Sequence, residues 1–135
     1  MSDNKRCGYI SGLMFFNQLG LLTQLPMAYE VVSNKTTRDR RETMLGSARV
    51  VVCSPKVTVT EGNYKILQFL GLIKDIYRYS EVTGESLKKK LYRYMHKSGL
   101  TVSSMKPYSH YYPDKLYKNL VETEVIFYDC RILTL

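Results

Sequence analysis

Four cations are crowded into residues 34–46, a segment that joins two stretches rich in β-branched residues. The forked guanidinium group of arginine fits phosphate or carboxylate oxygens, so this basic connector is a candidate anion-binding loop. The alternative is a solvated loop in which Asp39 and Glu42 neutralise half of the charge. The candidate contacts are Lys35, Arg38, Arg40 and Arg41.

A second group of cations recurs at helical spacing in residues 84–99. The apolar residues of this segment form an inner stripe, so the basic residues share the outer face of a predicted helix. Such a face suits phosphates or an acidic protein surface, and a merely solvated face is the alternative. The candidate contacts are Lys88, Lys89, Arg93 and Lys97. The sequence leaves open whether this face and the basic connector form one continuous surface.

The stretch from residue 106 to residue 120 interleaves tyrosines with lysines. Aromatic rings stack on unpaired nucleic-acid bases, and nearby lysines neutralise the phosphates. The alternative is packing at the rim of the core, since tyrosine packs well with its hydroxyl in water. The candidate stacking residues are Tyr108, Tyr111 and Tyr112.

The residues that perform catalysis in other proteins form no recognisable constellation here. The sequence contains no phosphate-binding glycine loop, no serine-hydrolase elbow and no zinc-protease motif, and its carboxylates are scattered singly. Cys7, Cys53 and Cys130 lie far apart and make no metal-ligand spacing with the two histidines. We therefore expect reduced thiols, no enzymatic activity, no catalytic residues, no cofactor and no metal site.

The length of 135 residues is that of one domain, and the formal net charge is +8. Such an excess of positive charge attracts polyanions at long range. Nucleic acid or an acidic protein surface is therefore the expected class of partner. We predict a single domain over residues 1–135, in which residues 1–7 are a flexible lead-in.

The uncharged stretch at residues 8–26 has to be a signal, a membrane segment or part of a soluble fold. Asn17 and Gln18 interrupt it, and its apolar run at residues 13–16 is far shorter than the about 20 residues that span a bilayer. No small-residue cleavage site follows. The spacing predicts a soluble amphipathic helix over residues 8–19, ended by Gly20 at positive φ, and we expect a cytoplasmic protein without membrane contact.

The remaining segments alternate between strand and helix patterns. Residues 27–33 and 47–54 predict strands, and a further extended piece covers residues 56–60. Helices are predicted at residues 61–79, 84–99 and 113–124, and Gly71 inside the first of these suggests close packing. Residues 125–135 have the pattern of a strand. The expected fold is α+β, with four helices around a small, mostly antiparallel sheet.

Several of these segments together resemble the C-terminal domain of AbiEi-like antitoxins. The block GYISGLMFFNQLGLLTQ is the most specific part, because the family has a G-Y-x-[ST]-G helix followed by N-Q-L-G-L-[TL]-T-Q and a strand. The basic connector, RVVVCSPKVTVTEGN, YKILQFLGLIKDI and YYPDKLYKNLVE follow in the family's order. The resemblance extends over residues 8–122.

This resemblance implies a bacterial type IV toxin–antitoxin, or abortive-infection, system. In the family, an N-terminal winged helix represses the antitoxin's own operon, and the C-terminal domain counters a nucleotidyltransferase-like toxin without being an enzyme. Only seven residues precede the matched block, too few for a winged helix, so operator recognition is not expected of this chain. The strand-like pattern from residue 125 is a second departure from the family.

Three functions are therefore open. The leading hypothesis is a non-enzymatic, antitoxin-type binding domain whose basic face assists DNA binding. The second is a phage- or plasmid-encoded inhibitor that blocks a nucleoprotein defence complex, as anti-CRISPR proteins do. The third is an RNA-binding factor that uses the tyrosine stretch. The identity of the partner and the oligomeric state are not determined by the sequence.

Overall fold

The computed structural model describes residues 6–36 and 39–130, which form a four-stranded sheet packed against helices. The strands are β1 (Gly8–Ser11), β2 (Tyr29–Ser33), β3 (Arg40–Leu45) and β4 (Ala48–Cys53). Their order across the sheet is β1-β2-β4-β3. The central pair β2 and β4 is parallel, whereas β1 and β3 pair antiparallel with β2 and β4, respectively. The sheet is therefore mostly antiparallel, as predicted.

The helices are α1 (Gly12–Gln18), α2 (Tyr64–Lys74), α3 (Ile76–Tyr79), α4 (Gly84–Ser98), α5 (Val102–Met105) and α6 (Lys115–Glu122). Two 3₁₀ segments follow α5 and α6, at Lys106–Tyr111 and Val125–Phe127. The predicted number of four helices is wrong, because residues 61–79 divide into two helices and further short helical segments follow α4. Helix α4 matches its prediction closely, with Thr83 at its N-cap and Gly99 at its C-cap.

The hydrophobic core lies among the helices. The phenylalanines of α1 and the apolar face of α2 form its centre, and α4 closes it. The ring of Tyr94 on α4 lies 5.8 Å from that of Phe15 and 5.7 Å from that of Phe69. The sheet adds the buried Val50 and Val51 of β4. Helices α1 and α2 therefore contact both the sheet and α4, and they form the middle of the molecule.

A buried asparagine attaches α6 to the end of α2. The Asn119 amide donates to the carbonyl oxygens of Ile73 and Lys74, at 2.9 and 3.0 Å. The last carbonyls of a helix lack the regular partner inside the helix, so this side chain supplies a hydrogen bond to two of them. The Thr123 hydroxyl in turn donates to the backbone carbonyl of Asn119 at 2.7 Å.

A second asparagine explains why residues 56–60 remain outside the sheet. The Asn34 side chain accepts from the Val59 amide and donates to the Val59 carbonyl, both at 2.9 Å. One amide side chain therefore supplies both bonds that a neighbouring strand would give. The predicted extended piece is held in place by this contact, and its backbone is not part of a strand.

The predicted helix over residues 8–19 is wrong in its first four residues. Gly8–Ser11 is strand β1, which pairs with residues 30–33 of β2, and α1 begins only at Gly12. This pairing is made with a segment distant in sequence and leaves no local signature. Gly20 has a φ of 74°, as predicted for the residue that ends the helix. None of the helices in residues 6–36 and 39–130 has the length and hydrophobicity of a membrane span.

Two other segments differ from their predictions. Residues 40–45, expected to be irregular connector, form the edge strand β3, whose hairpin with β4 closes at the Leu45–Ala48 pair. The predicted C-terminal strand is wrong over its described part, since Val125–Phe127 is a 3₁₀ segment and residues 128–130 are helical. Residues 131–135 of that prediction lie outside the described residues.

The predicted flexible lead-in falls largely on residues 1–5, which also lie outside the described residues. The guanidinium group of Arg6 lies 3.9 Å from the centre of the Tyr64 ring. The Cys7 carbonyl accepts a hydrogen bond of 2.8 Å from the Asn34 amide. The last two residues of the lead-in are therefore bound to the fold.

Two glycines give opposite predictions for substitution by alanine. Gly12 has a φ of 66°, and an added Cβ would lie 2.8 Å from the Glu30 carboxylate carbon. At Gly71 in α2, no described atom comes within 4 Å of an added Cβ, so the close packing predicted there is wrong. We expect Gly12→Ala to lower the free energy of unfolding by about 1–2 kcal/mol. Gly71→Ala should raise it by about 0.5–1 kcal/mol.

Urea denaturation followed by circular dichroism measures both changes. The two variants remove the same hydrogen and add the same methyl group, so each serves as the control for the other. A Gly12→Ala variant as stable as the wild type would contradict the left-handed turn at Gly12, and a destabilised Gly71→Ala variant would contradict the open space at Gly71.

Candidate functional site

Helix α4 presents a row of three cations to solvent. The inner face of the helix is fixed by three side chains buried in the core, Leu87, Leu91 and Met95. On the outer face, three exposed basic residues follow one another at intervals of four, which places each about 6 Å along the helix axis from the next. The α4 cation row, as we call it, consists of Lys89, Arg93 and Lys97.

The charge of the α4 cation row is not compensated within the described part of the chain. No carboxylate there forms an ion pair with any of its three side chains. Like charges one turn apart repel one another, so the row costs some stability without a partner. An external anion would relieve this repulsion.

Lys88 is the member of the predicted basic face that does not belong to this row. Its side chain is only 12% exposed, and its ammonium group pairs with the Glu124 carboxylate at 3.0 Å. The Tyr92 hydroxyl donates to the Glu124 carbonyl at 2.6 Å. Lys88 therefore connects α4 to the turn before the C-terminal 3₁₀ segment. Its charge is neutralised by an ion pair within the molecule.

The described cations of the predicted connector do not share one loop. Lys35 is exposed after β2, and Arg38 lies outside the described residues. Arg40 and Arg41 are neighbours in β3, so their side chains point to opposite faces of the sheet. Arg40 lines a groove together with Glu30. The expected cluster of arginines in one loop is therefore wrong.

The α4 cation row and the β3 arginines belong to different parts of the molecule. α4 packs on α1 and α2 through Tyr94, whereas β3 pairs with β4 at the edge of the sheet. The α4 cation row thus lies on a helix that packs on the core, and the β3 arginines lie on the edge strand of the sheet.

The candidate stacking tyrosines differ in their surroundings. Tyr108 and Tyr112 pack against the core, and the Tyr112 hydroxyl donates to the Leu67 carbonyl at 3.1 Å. Tyr111 is 41% exposed and its ring lies 4.0 Å from that of His110. Tyr108 and Tyr112 therefore pack at the rim of the core, which was the alternative to stacking. Of the three tyrosines, only Tyr111 has the exposure that stacking on a base requires.

A cleft between the sheet and the helices contains polar residues that the sequence did not indicate. A cavity of about 230 Å³ separates the inner face of β1, β2 and β4 from α1 and α2. The Glu30 carboxylate reaches into it and accepts a hydrogen bond of 3.0 Å from the Ser11 hydroxyl. The one charged residue in an otherwise apolar strand was the signal available in the sequence. Tyr9 and Cys53 line the same cavity.

Two tyrosines and one cysteine of this cleft are held in their neutral forms. Burial raises the pKa of Tyr9 above its usual range, and the neighbouring Tyr112 adds to this shift. Burial also raises the pKa of Tyr112, to about 12. The pKa of the Cys53 thiol is raised by burial and by the charge of Glu30, which makes it a poor nucleophile at neutral pH. The arrangement favours hydrogen bonding over covalent chemistry.

Among residues 6–36 and 39–130, no group of three or more histidine, cysteine, aspartate or glutamate side chains is placed to hold a metal ion.

Comparison of the chain with protein-family models, with curated proteins and with solved structures finds no match.

The partly buried Tyr112 predicts a loss of stability at high pH. The folded protein keeps the Tyr112 proton up to a pH of about 12, whereas the unfolded chain releases it near 10, the ordinary pKa. The stabilising contribution of the protonated Tyr112 hydroxyl is therefore complete below pH 10. It is lost as the pH rises toward 12, by about 1.4 kcal/mol of unfolding free energy per pH unit. We expect Tyr112→Phe to reduce the slope of unfolding free energy against pH between 10 and 11.

Urea denaturation at a series of pH values measures this slope. Tyr111→Phe removes an exposed hydroxyl from the same segment and is the matched control. A slope that Tyr112→Phe leaves unchanged would contradict the burial of its hydroxyl against Leu67.

Proposed function

We propose that this chain is a binding domain that contacts the phosphate backbone of duplex DNA through the α4 cation row. The single observation that supports this is the uncompensated line of Lys89, Arg93 and Lys97 on a helix whose other face is locked into the core. A rigid helix keeps the three charges in register, so little conformational freedom is lost when phosphates bind. The net charge of +8 adds long-range attraction to the same partner.

Binding of this kind recognises the charge of DNA and carries little sequence information. Phosphate contacts position a protein on the duplex, and sequence is read by contacts to base edges. Each contact releases condensed counterions, so the logarithm of the affinity falls with the logarithm of salt concentration by about 0.9 per contact. Three contacts therefore contribute a slope of about −2.7.

The test is the salt dependence of DNA binding. Fluorescence anisotropy with a labelled duplex of about 20 base pairs compares the wild-type chain with the triple variant Lys89→Gln, Arg93→Gln, Lys97→Gln. Between 50 and 200 mM salt, three contacts weaken binding by about 40-fold. We expect the triple variant to lack this part of the salt dependence and to bind the duplex more weakly at low salt.

The control is a second triple variant, Lys65→Gln, Lys106→Gln, Lys118→Gln, which removes the same charge from exposed lysines on other elements. We expect it to retain most of the wild-type salt slope. Equal slopes in the wild type and the α4 variant, or equal losses in the two variants, would contradict a specific role of α4.

We further propose that the domain acts as the antitoxin-type partner of a nucleotidyltransferase-like toxin. The support for this is the resemblance of residues 8–122 to the C-terminal domain of AbiEi-like antitoxins. Co-expression with such a toxin in bacteria should restore growth if the proposal is correct. Continued growth arrest in cells that contain the soluble, folded chain would contradict it. The α4 triple variant in the same assay shows whether rescue depends on the basic face.

A further inference from the structure

Strand β3 exposes one long edge of the sheet. It pairs with β4 on one side, and in the part of the chain that the structure describes no strand pairs with its other side. An antiparallel strand directs the N–H and C=O groups of alternate residues toward its partner, so the remaining residues of β3 direct theirs outward. Such groups are a template for another strand.

The opposite edge of the sheet is less accessible. Strand β1 has only four residues, and its Ile10 carbonyl accepts a hydrogen bond of 2.8 Å from the Gln68 side chain on α2. Helix α2 therefore covers part of the β1 edge, whereas none of the described residues covers the β3 edge in this way.

The side chains of β3 divide its edge into two chemically different halves. At one end, Arg40 and Arg41 are exposed. At the other end, Met44 and Leu45 are 58% and 68% exposed, although both are apolar. Between them the charge of Glu42 is offset by Arg49, whose Nε donates to the Glu42 carboxylate at 2.7 Å.

We propose that the β3 edge binds an extended acidic segment of another protein, which adds to the sheet as a fifth strand. Side-chain complementarity fixes the chemistry of this segment: its acidic half lies beside Arg40 and Arg41, and its apolar half lies beside Met44 and Leu45. Antiparallel pairing, the commoner arrangement, places the apolar half at the amino end of the segment. Affinity then comes from main-chain hydrogen bonds and specificity from the side chains.

A second copy of this chain fits the same edge poorly. Antiparallel pairing of two β3 strands would set the arginines of each copy against Met44 and Leu45 of the other. Two chains of net charge +8 also repel each other. An acidic partner has neither disadvantage.

The test uses two synthetic peptides of about eight residues and identical composition. One has alternating valine and threonine followed by aspartate and glutamate, and the other has the same residues in reverse order. We expect the first to bind more tightly and to shift the amide resonances of residues 40–45 in nuclear magnetic resonance spectra. Arg40→Gln with Arg41→Gln should weaken its binding about tenfold at low salt.

N-methylation of the peptide separates strand addition from simple charge attraction. Methyl groups on the alternate residues whose N–H groups face β3 remove the hydrogen bonds to β3 and should abolish binding. Methyl groups on the other set of alternate residues, whose N–H groups face away from β3, should leave binding intact. The charge control is Lys65→Gln with Lys106→Gln, which should bind like the wild type. The α4 triple variant should also retain peptide binding, so the outcome is independent of the DNA proposal.

Equal affinity for both peptide orders and both methylation patterns would overturn the proposal in favour of nonspecific attraction. Concentration-dependent shifts of the β3 amides without peptide would overturn it in favour of self-association.

Discussion

The direct junction of β1 and α1 at Gly12 is the constraint on which the two layers of the molecule depend. Ser11 ends the strand and Gly12 begins the helix, so no loop separates the sheet from the helical core. The left-handed backbone of Gly12 and its missing side chain let the Glu30 carboxylate of β2 lie against the turn. The direction of α1 is thereby fixed relative to the sheet, and with it the positions of Phe15 and Phe16 in the core.

From this junction the arrangement of the surfaces follows. Helix α1 contacts both the sheet and α4 and so connects them. The basic residues of α4 lie on its outer face, and those of β3 lie on an edge strand of the sheet. The polar cleft lies where the inner face of the sheet meets α1 and α2, and burial there raises the pKa values of Tyr9 and Tyr112.

How much the sequence could predict depends on whether the information was local. Helix α4 was predicted almost to the residue, because its cap, apolar stripe and terminal glycine all lie within the segment. Strand β1 was mistaken for helix, since its evidence is the pairing with β2 some 20 residues away. Strand β3 was missed because an exposed edge strand needs no apolar alternation, and its residues are mostly polar or charged.

The same distinction applies to the candidate site. The α4 cation row was evident from helical spacing alone. Lys88 does not belong to the α4 cation row because it pairs with Glu124, which is 36 residues away in the sequence. The packing of Tyr112 depends likewise on Leu67, a residue 45 positions away. Spacing identifies which residues share a face, whereas pairing across the fold decides which of them are still available to a partner.

The Asn119 amide at the end of α2 has a consequence for local opening of the fold. If α6 detached, the carbonyls of Ile73 and Lys74 would lose their hydrogen bonds from Asn119, and the core under Leu116 and Leu120 would be exposed at the same time. Fraying of the C-terminal helix is therefore coupled to the stability of the central one, and the two should open as one cooperative unit in amide hydrogen exchange.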